Sequence, residues 1–231
     1  MRLQQIHVFP VKSMAGQSVP TWPVTPYRLA GDRGWAVVDS NGRLGSGKDS
    51  RRFRRLDALF TWRARLADPT ATPEVSGPDG TWLSVADPGA EAALGTACGE
   101  PVRLANEGEV AHVDAAPISL VGTATLEQLA ASLGEAEPVD PRHLRANLVI
   151  ETDEPYVEDG WADDGLRIGI GEAQFEVVQR VTRCRMVDIA QADVPSLPGL
   201  LVATGARGAR AAVYLRPLGP ATLQVGAAVA A

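Results

Sequence analysis

The chain has 231 residues, 45% hydrophobic and 22% charged, with a formal net charge of −6. This describes one long globular domain or two small ones with ample core, and it argues against a surface built to coat the phosphates of a long nucleic acid. Two cysteines, Cys98 and Cys184, far apart and without a CxxC pair, exclude a disulfide framework and a cysteine-rich zinc site.

Residues 1–8 alternate polar and apolar, which predicts a strand over 3–8 and lacks the apolar core of a signal peptide. No later segment approaches about 18 uninterrupted apolar residues, so a soluble, cytoplasmic protein without a membrane partner is expected. Pro20, Pro23 and Pro26 punctuate the first connection, and strands are predicted over 35–38 and 59–67. Residues 68–73 are turn-rich, and Gly77-Pro78-Asp79-Gly80 reads as a hairpin tip before a strand over 81–85. An alanine-rich stretch, 88–99, predicts a short helix. A strand over 118–121, an amphipathic helix over 123–133 and a buried strand over 148–150 follow. Residues 166–181 read as a strand pair turning at Gly169-Ile170-Gly171-Glu172, and 211–229 as two strands separated by Pro217-Leu218-Gly219-Pro220. The fold class is α+β, predominantly β, with a few short helices.

Cys184 sits in Thr182-Arg183-Cys184-Arg185, where a strand ends. Flanking cations favour the thiolate, the form that attacks electrophiles or binds a soft metal. The same position also suits a small buried apolar residue, which is how Cys98 is read. Of the 22 basic residues only Lys12 and Lys48 are lysines, each in a turn marked by glycine or proline. There an ammonium beside free backbone N–H groups can hold an anion, or simply be solvated. Gly45-Ser46-Gly47-Lys48 lacks the spacing of a P-loop. Arg51-Arg52-Phe53-Arg54-Arg55 reads as a solvated face, with docking of an acidic redox protein as the alternative. His7, His112 and His143 are solitary and read as structural, which leaves a cysteine hydrolase at Cys184 without a histidine partner.

Pro10-Val11-Lys12-Ser13, Gly31-Asp32-Arg33-Gly34-Trp35, Leu144-Arg145-Ala146-Asn147, Tyr156-Val157-Glu158-Asp159-Gly160-Trp161 and Thr182-Arg183-Cys184 occur in this order, with Val225-Gly226 near the end. Together they resemble the MOSC family, the molybdenum cofactor sulfurase C-terminal domain, with its β-rich N-terminal partner domain. The likeness is greatest to the two-part, amidoxime-reducing members. It implies a β-rich N-terminal unit at 1–90 packed against a MOSC-type β-barrel domain at 91–231, with the molybdenum cofactor between them. By the resemblance, Cys184 is the catalytic residue and the ligand to molybdenum, and Lys12, Ser13, Arg33, Arg145, Asn147, Thr182, Arg183 and Tyr214 hold the cofactor. Guanidinium forks and amides suit an anionic phosphate and a polar pterin. Glu158, Asp159 and Trp161 read as fold-stabilising.

The implied activity is reduction of N-hydroxylated or N-oxide small molecules, with electrons from an external redox protein, since no flavin, haem or iron–sulfur motif is evident. The alternative is a non-catalytic cofactor carrier, or a sulfur carrier using a Cys184 persulfide. The chain departs from the amidoxime-reducing pattern in three places. Ala115-Ala116-Pro117 replaces a polar pair before proline, Arg185-Met186-Val187-Asp188-Ile189 follows the cysteine, and Lys48 stands where an arginine is frequent.

Overall fold

Two hydrophobic cores underlie the sheets and a third packs helix Thr123–Leu133 against the largest of them, and the computed structural model describes residues 1–108, 111–163 and 165–231 of the chain. The larger core lies under an eight-stranded sheet that curls into a half-barrel. Across that sheet the order is Val229–Ala230, Arg167–Ile170, Ala173–Thr182, Arg210–Pro217, Ile118–Gly122, Leu148–Ile150, Leu3–Val8 and Gln17–Ser18. Ile118–Gly122 and Leu148–Ile150 run parallel, which requires a crossover, and helix Thr123–Leu133 lies within it. A register shift between Leu3 and Gln5 breaks the first strand's alternation, so Gln4 and Gln5 both reach solvent while Leu3, Ile6 and Val8 enter the core.

The smaller core is roofed by a four-stranded sheet of Val102–Asn106, Trp35–Asp39, Leu44–Ser46 and Phe53–Arg55, and by a three-stranded one of Arg63–Arg65, Glu74–Ser76 and Trp82–Ser84. The chain crosses the expected 90/91 division in both directions. Leu3–Val8 belongs to the large sheet, and Val102–Asn106 pairs along its length with Trp35–Asp39 in the small one.

Local signals explain several elements. Helix Pro88–Cys98 starts with Asp87 accepting from Gly89 N, carries proline in its first turn and ends at left-handed Gly99. The strand expected over 59–67 is instead a 3-10 turn, Asp57–Thr61, followed by Arg63–Arg65. Leu59 and Phe60 are adjacent and both buried, which a two-residue alternation with one buried face cannot satisfy. Helix Val157–Asp163 is a further addition, and it buries Glu158, Asp159 and Trp161. Glu158 Oε1 accepts from Gly122 N at 3.1 Å and Thr125 Oγ1 at 2.8 Å, while Asp159 pairs with Arg207 at 2.6 Å. Among the described residues no helix is long and apolar enough to cross a membrane.

Gly16 folds the loop after Leu3–Val8 back onto that strand, where a Cβ would lie 2.0 Å from the Val8 carbonyl oxygen. Beside the loop, His7 is buried with its ring nitrogens bonded to Ser18 Oγ at 3.0 Å and Gln5 Oε1 at 2.9 Å. Burial lowers its pKa from 6.5 to about 4. The unfolded chain therefore takes up the proton first, so His7's contribution is complete above pH 6.5 and is lost as pH falls to 4. Urea titrations between pH 7 and 4 are expected to show about 3 kcal/mol of acid-dependent destabilisation from this group, most of it absent in His7→Gln.

Candidate functional site

A cavity of about 70 Å³ is lined from both parts of the chain and borders the third core through Leu144, Val181, Met186 and Tyr214. Lys12, Ser13, Arg33 and Ser46 line it from the first part of the chain. Ser119, Arg145, Asn147, Arg183, Met186 and Tyr214 line it from the second. The structure thus gathers seven of the nine site residues that the sequence nominated, Lys12, Ser13, Arg33, Arg145, Asn147, Arg183 and Tyr214.

Backbone strain concentrates here. Ser13, Arg33 and Arg145 hold left-handed φ angles of 70°, 52° and 49°, a conformation costing about 1–3 kcal/mol for a residue with a side chain. Hydrogen bonds enforce it. Arg33 N donates to Phe9 O at 2.7 Å, Arg145 N to Arg142 O at 3.0 Å, and Ser13 Oγ to Gly45 O at 2.9 Å.

Beneath the cavity, fully buried Asp32 accepts from Phe9 N at 2.7 Å, Asn147 Nδ2 at 3.2 Å and Arg33 Nη1. Asn147 Oδ1 accepts from Arg33 Nη1 at 3.2 Å and Ser119 N at 3.1 Å, while Nδ2 also donates to His7 O at 3.1 Å. Both amide hydrogens of Asn147 are thereby used by the protein, so its part is to orient Arg33 and join strands. Arg145 donates to Met14 O at 2.8 Å, and its guanidinium carbon lies 4.4 Å from the Phe9 ring centroid, with Arg33 at 4.9 Å from the same ring.

Arg183 is 8% exposed and donates to Ala211 O at 2.8 Å and Leu144 O at 2.7 Å, yet among the described residues its buried Nη2 has no partner. Burial pushes Arg183 down to about 10 and Arg145 down to about 9, the latter with Arg33 adding to the effect. Lys12 is pushed down to about 8 by burial, against the pull of Asp114. Each cation is therefore held at a free-energy cost that an incoming anion would relieve. Such a donor set, with an orphaned buried N–H, fits a polar, anionic ligand.

Lys12 Nζ donates to Asp114 Oδ1 at 2.8 Å, from a side chain 7% exposed to one 46% exposed. Burial raises the Asp114 pKa, but Lys12, Lys48 and Arg33 hold it below the usual carboxylate value.

Two nominated residues are not in the lining. Cys184 is half-buried just before the 3-10 turn Arg185–Asp188, next in sequence to Arg183. Arg185 ties that turn to Gly47 O at 3.2 Å and Asp57 at 2.9 Å. Thr182 is exposed and lines a separate surface cavity with Arg180 and Arg210, because successive strand residues face opposite ways.

Other singled-out residues have structural partners. Lys48, Arg52 and Lys12 lie 4.6, 4.9 and 5.2 Å from the Phe53 ring centroid. Arg54 binds Glu100 through two hydrogen bonds of 2.9 Å, Arg55 binds Asp57 at 2.8 Å, and Arg52 donates to Val113 O at 2.8 Å. His112 Nδ1 meets Arg33 O at 3.1 Å and His143 Nδ1 meets Val187 O at 3.0 Å. Burial pushes the Cys98 thiol up to about 11. Sequence reasoning missed Asp114, Ser46 and Ser119 as cavity residues. Ser119 had a signal, a hydroxyl inside an apolar strand, whereas Asp114 had none.

Because an anion favours protonated Lys12, its affinity is expected to fall as pH rises past about 8, by up to tenfold per unit. Calorimetric titration with sulfate at pH 7, 8 and 9 checks this.

The model of the MOSC domain matches residues 107–230, and that of the MOSC N-terminal beta barrel domain matches residues 1–93. A molybdenum cofactor sulfurase of Danio rerio is 25% identical over 82% of this chain, and one of Oryza sativa subsp. japonica is 26% identical over 83%. This chain spans 28% of the length of each. In fold it is similar to the crystal structure of the YuaD protein from Bacillus subtilis, with a TM-score of 0.52 and 15% identity, covering 99% of this chain and 93% of that one. With both family models matched and the MOSC model covering more than half of the residues, the chain belongs to the MOSC domain family, its MOSC domain preceded by that family's N-terminal β-barrel domain.

Proposed function

We propose that this protein binds the molybdenum cofactor in the cationic cavity and reduces N-hydroxylated or N-oxide-type small molecules. The observation that carries the binding half is the excess of buried cations, above all the orphaned Nη2 of Arg183. Lys12, Arg33 and Arg183 would hold the anionic part, and Ser13 and Tyr214 would border it. Arg145, committed to Met14 O and lying over the Phe9 ring, would act mainly through charge. Asn147 and Asp32 would keep Arg33 aimed. Cys184 would give the metal one thiolate, a soft donor suited to it. Among the described residues no three His, Cys, Asp or Glu side chains gather to hold an ion themselves.

When bound, the cofactor supplies two-electron oxygen-transfer chemistry. Reducing an N-hydroxyl group breaks the N–O bond and releases water, consuming two protons and two electrons, the latter from a separate redox protein. The chain's own part is to bind, orient and desolvate.

The names of the relatives support a second reading, in which Cys184 carries sulfur as a persulfide and reduces nothing. One set of preparations separates the two. Protein from a cofactor-producing host is assayed for molybdenum, pterin fluorescence, persulfide and turnover of an amidoxime with an artificial donor. Near-stoichiometric metal with turnover, lost in Cys184→Ser, is the expected result. Metal without turnover favours the carrier, and persulfide without metal or pterin favours sulfur transfer. Arg183→Lys, which cannot reproduce the fork, is expected to lower cofactor occupancy about tenfold while the fold is retained.

A further inference from the structure

Taking the cavity as an anion site, we propose that Asp114 is a tethered competitor within it and sets the threshold that a ligand must exceed: a dianionic group displaces its carboxylate from Lys12, and a monoanion at the same concentration does not.

The pair is asymmetric. Lys12 is almost wholly buried, so its ammonium needs a counter-anion, whereas the Asp114 side chain is 46% exposed and would be rehydrated on release. Among the described residues Lys12 is the single hydrogen-bond donor to that carboxylate.

The backbone around Asp114 is pinned while its side chain is not. Arg52 donates to Val113 O at 2.8 Å and also to Ala111 O. His112 N donates to Glu107 Oε1 at 2.6 Å, and its ring meets Arg33 O at 3.1 Å. Downstream, Ala116 and Pro117 form part of the cavity wall. Exchange therefore requires rotation of one exposed aspartate side chain, not movement of the segment.

Charge decides the outcome. A tethered carboxylate competes at an effective concentration on the order of millimolar or above. A free monoanion brings Lys12 the same charge without the tether, and so gains little. A dianion brings a second charge, and Arg33 and Arg183 line the same cavity to meet it.

The test uses the full chain without cofactor, in chloride-free buffer, titrated calorimetrically with sulfate and with nitrate. Native protein is expected to bind sulfate at least tenfold more tightly than nitrate. Asp114→Asn and Asp114→Ala are expected to bind both anions about tenfold more tightly, because removing a competitor lifts the same penalty from each. Agreement between the two variants excludes a new contact from the asparagine amide. Unchanged or weaker binding of both anions by the variants overturns the role of Asp114 while leaving the anion site standing. Failure of both anions to bind native and variant protein alike overturns the anion-site reading and this inference with it.

Discussion

Lys12, Arg33, Arg145 and Arg183 converge on one cavity, with Asp32 beneath them and Asp114 at the edge. Desolvating cations without matched anions works against folding, and the surrounding structure reads as the means of enforcing it. Asp32 is buried completely and neutralises Arg33, while Asn147 and Ser119 hold that pair in register between Leu3–Val8 and Ile118–Gly122. Phe9 stands beside both Arg33 and Arg145, so its ring faces two cations at once. The left-handed backbones of Ser13, Arg33 and Arg145 are a second cost at the same place. Two unfavourable terms coinciding in one cavity point to binding, because neither improves the packing.

The scaffold makes the convergence possible by interleaving its halves. The first strand completes the large sheet, so the loop after it carries Lys12 and Ser13 to the cavity from a rigid base. Val102–Asn106 returns to the small sheet, and the chain then passes Arg33 before entering Ile118–Gly122. Arg185 closes the other side by binding Gly47 and Asp57. The cavity wall is thus fixed to both cores rather than formed where two independent bodies touch.

Much of this was legible in the sequence where periodicity and turn chemistry were strong. The helix over 123–133 and the strand over 148–150 match the observed bounds because an apolar stripe and a compact apolar run each specify one structure. Short strands such as Leu44–Ser46 and Phe53–Arg55 were not legible, since three residues carry no period and their pairing partners are remote. In the site, arginines within spaced motifs were readable as a charged set. The facing of Thr182 was not, because one residue of phase at a strand end decides it. Asp114 was invisible because its significance comes from Lys12, 102 positions away.

The central claim is that Lys12 is buried for a ligand and not for the fold. Equilibrium denaturation of cofactor-free native protein and Lys12→Met, paired with molybdenum content after expression in a cofactor-producing host, tests it most directly. The account predicts that Lys12→Met is as stable as the native chain or more so, and that it retains at most about a tenth of the cofactor. A variant that is clearly destabilised yet fully loaded would contradict it and make Lys12 a structural residue.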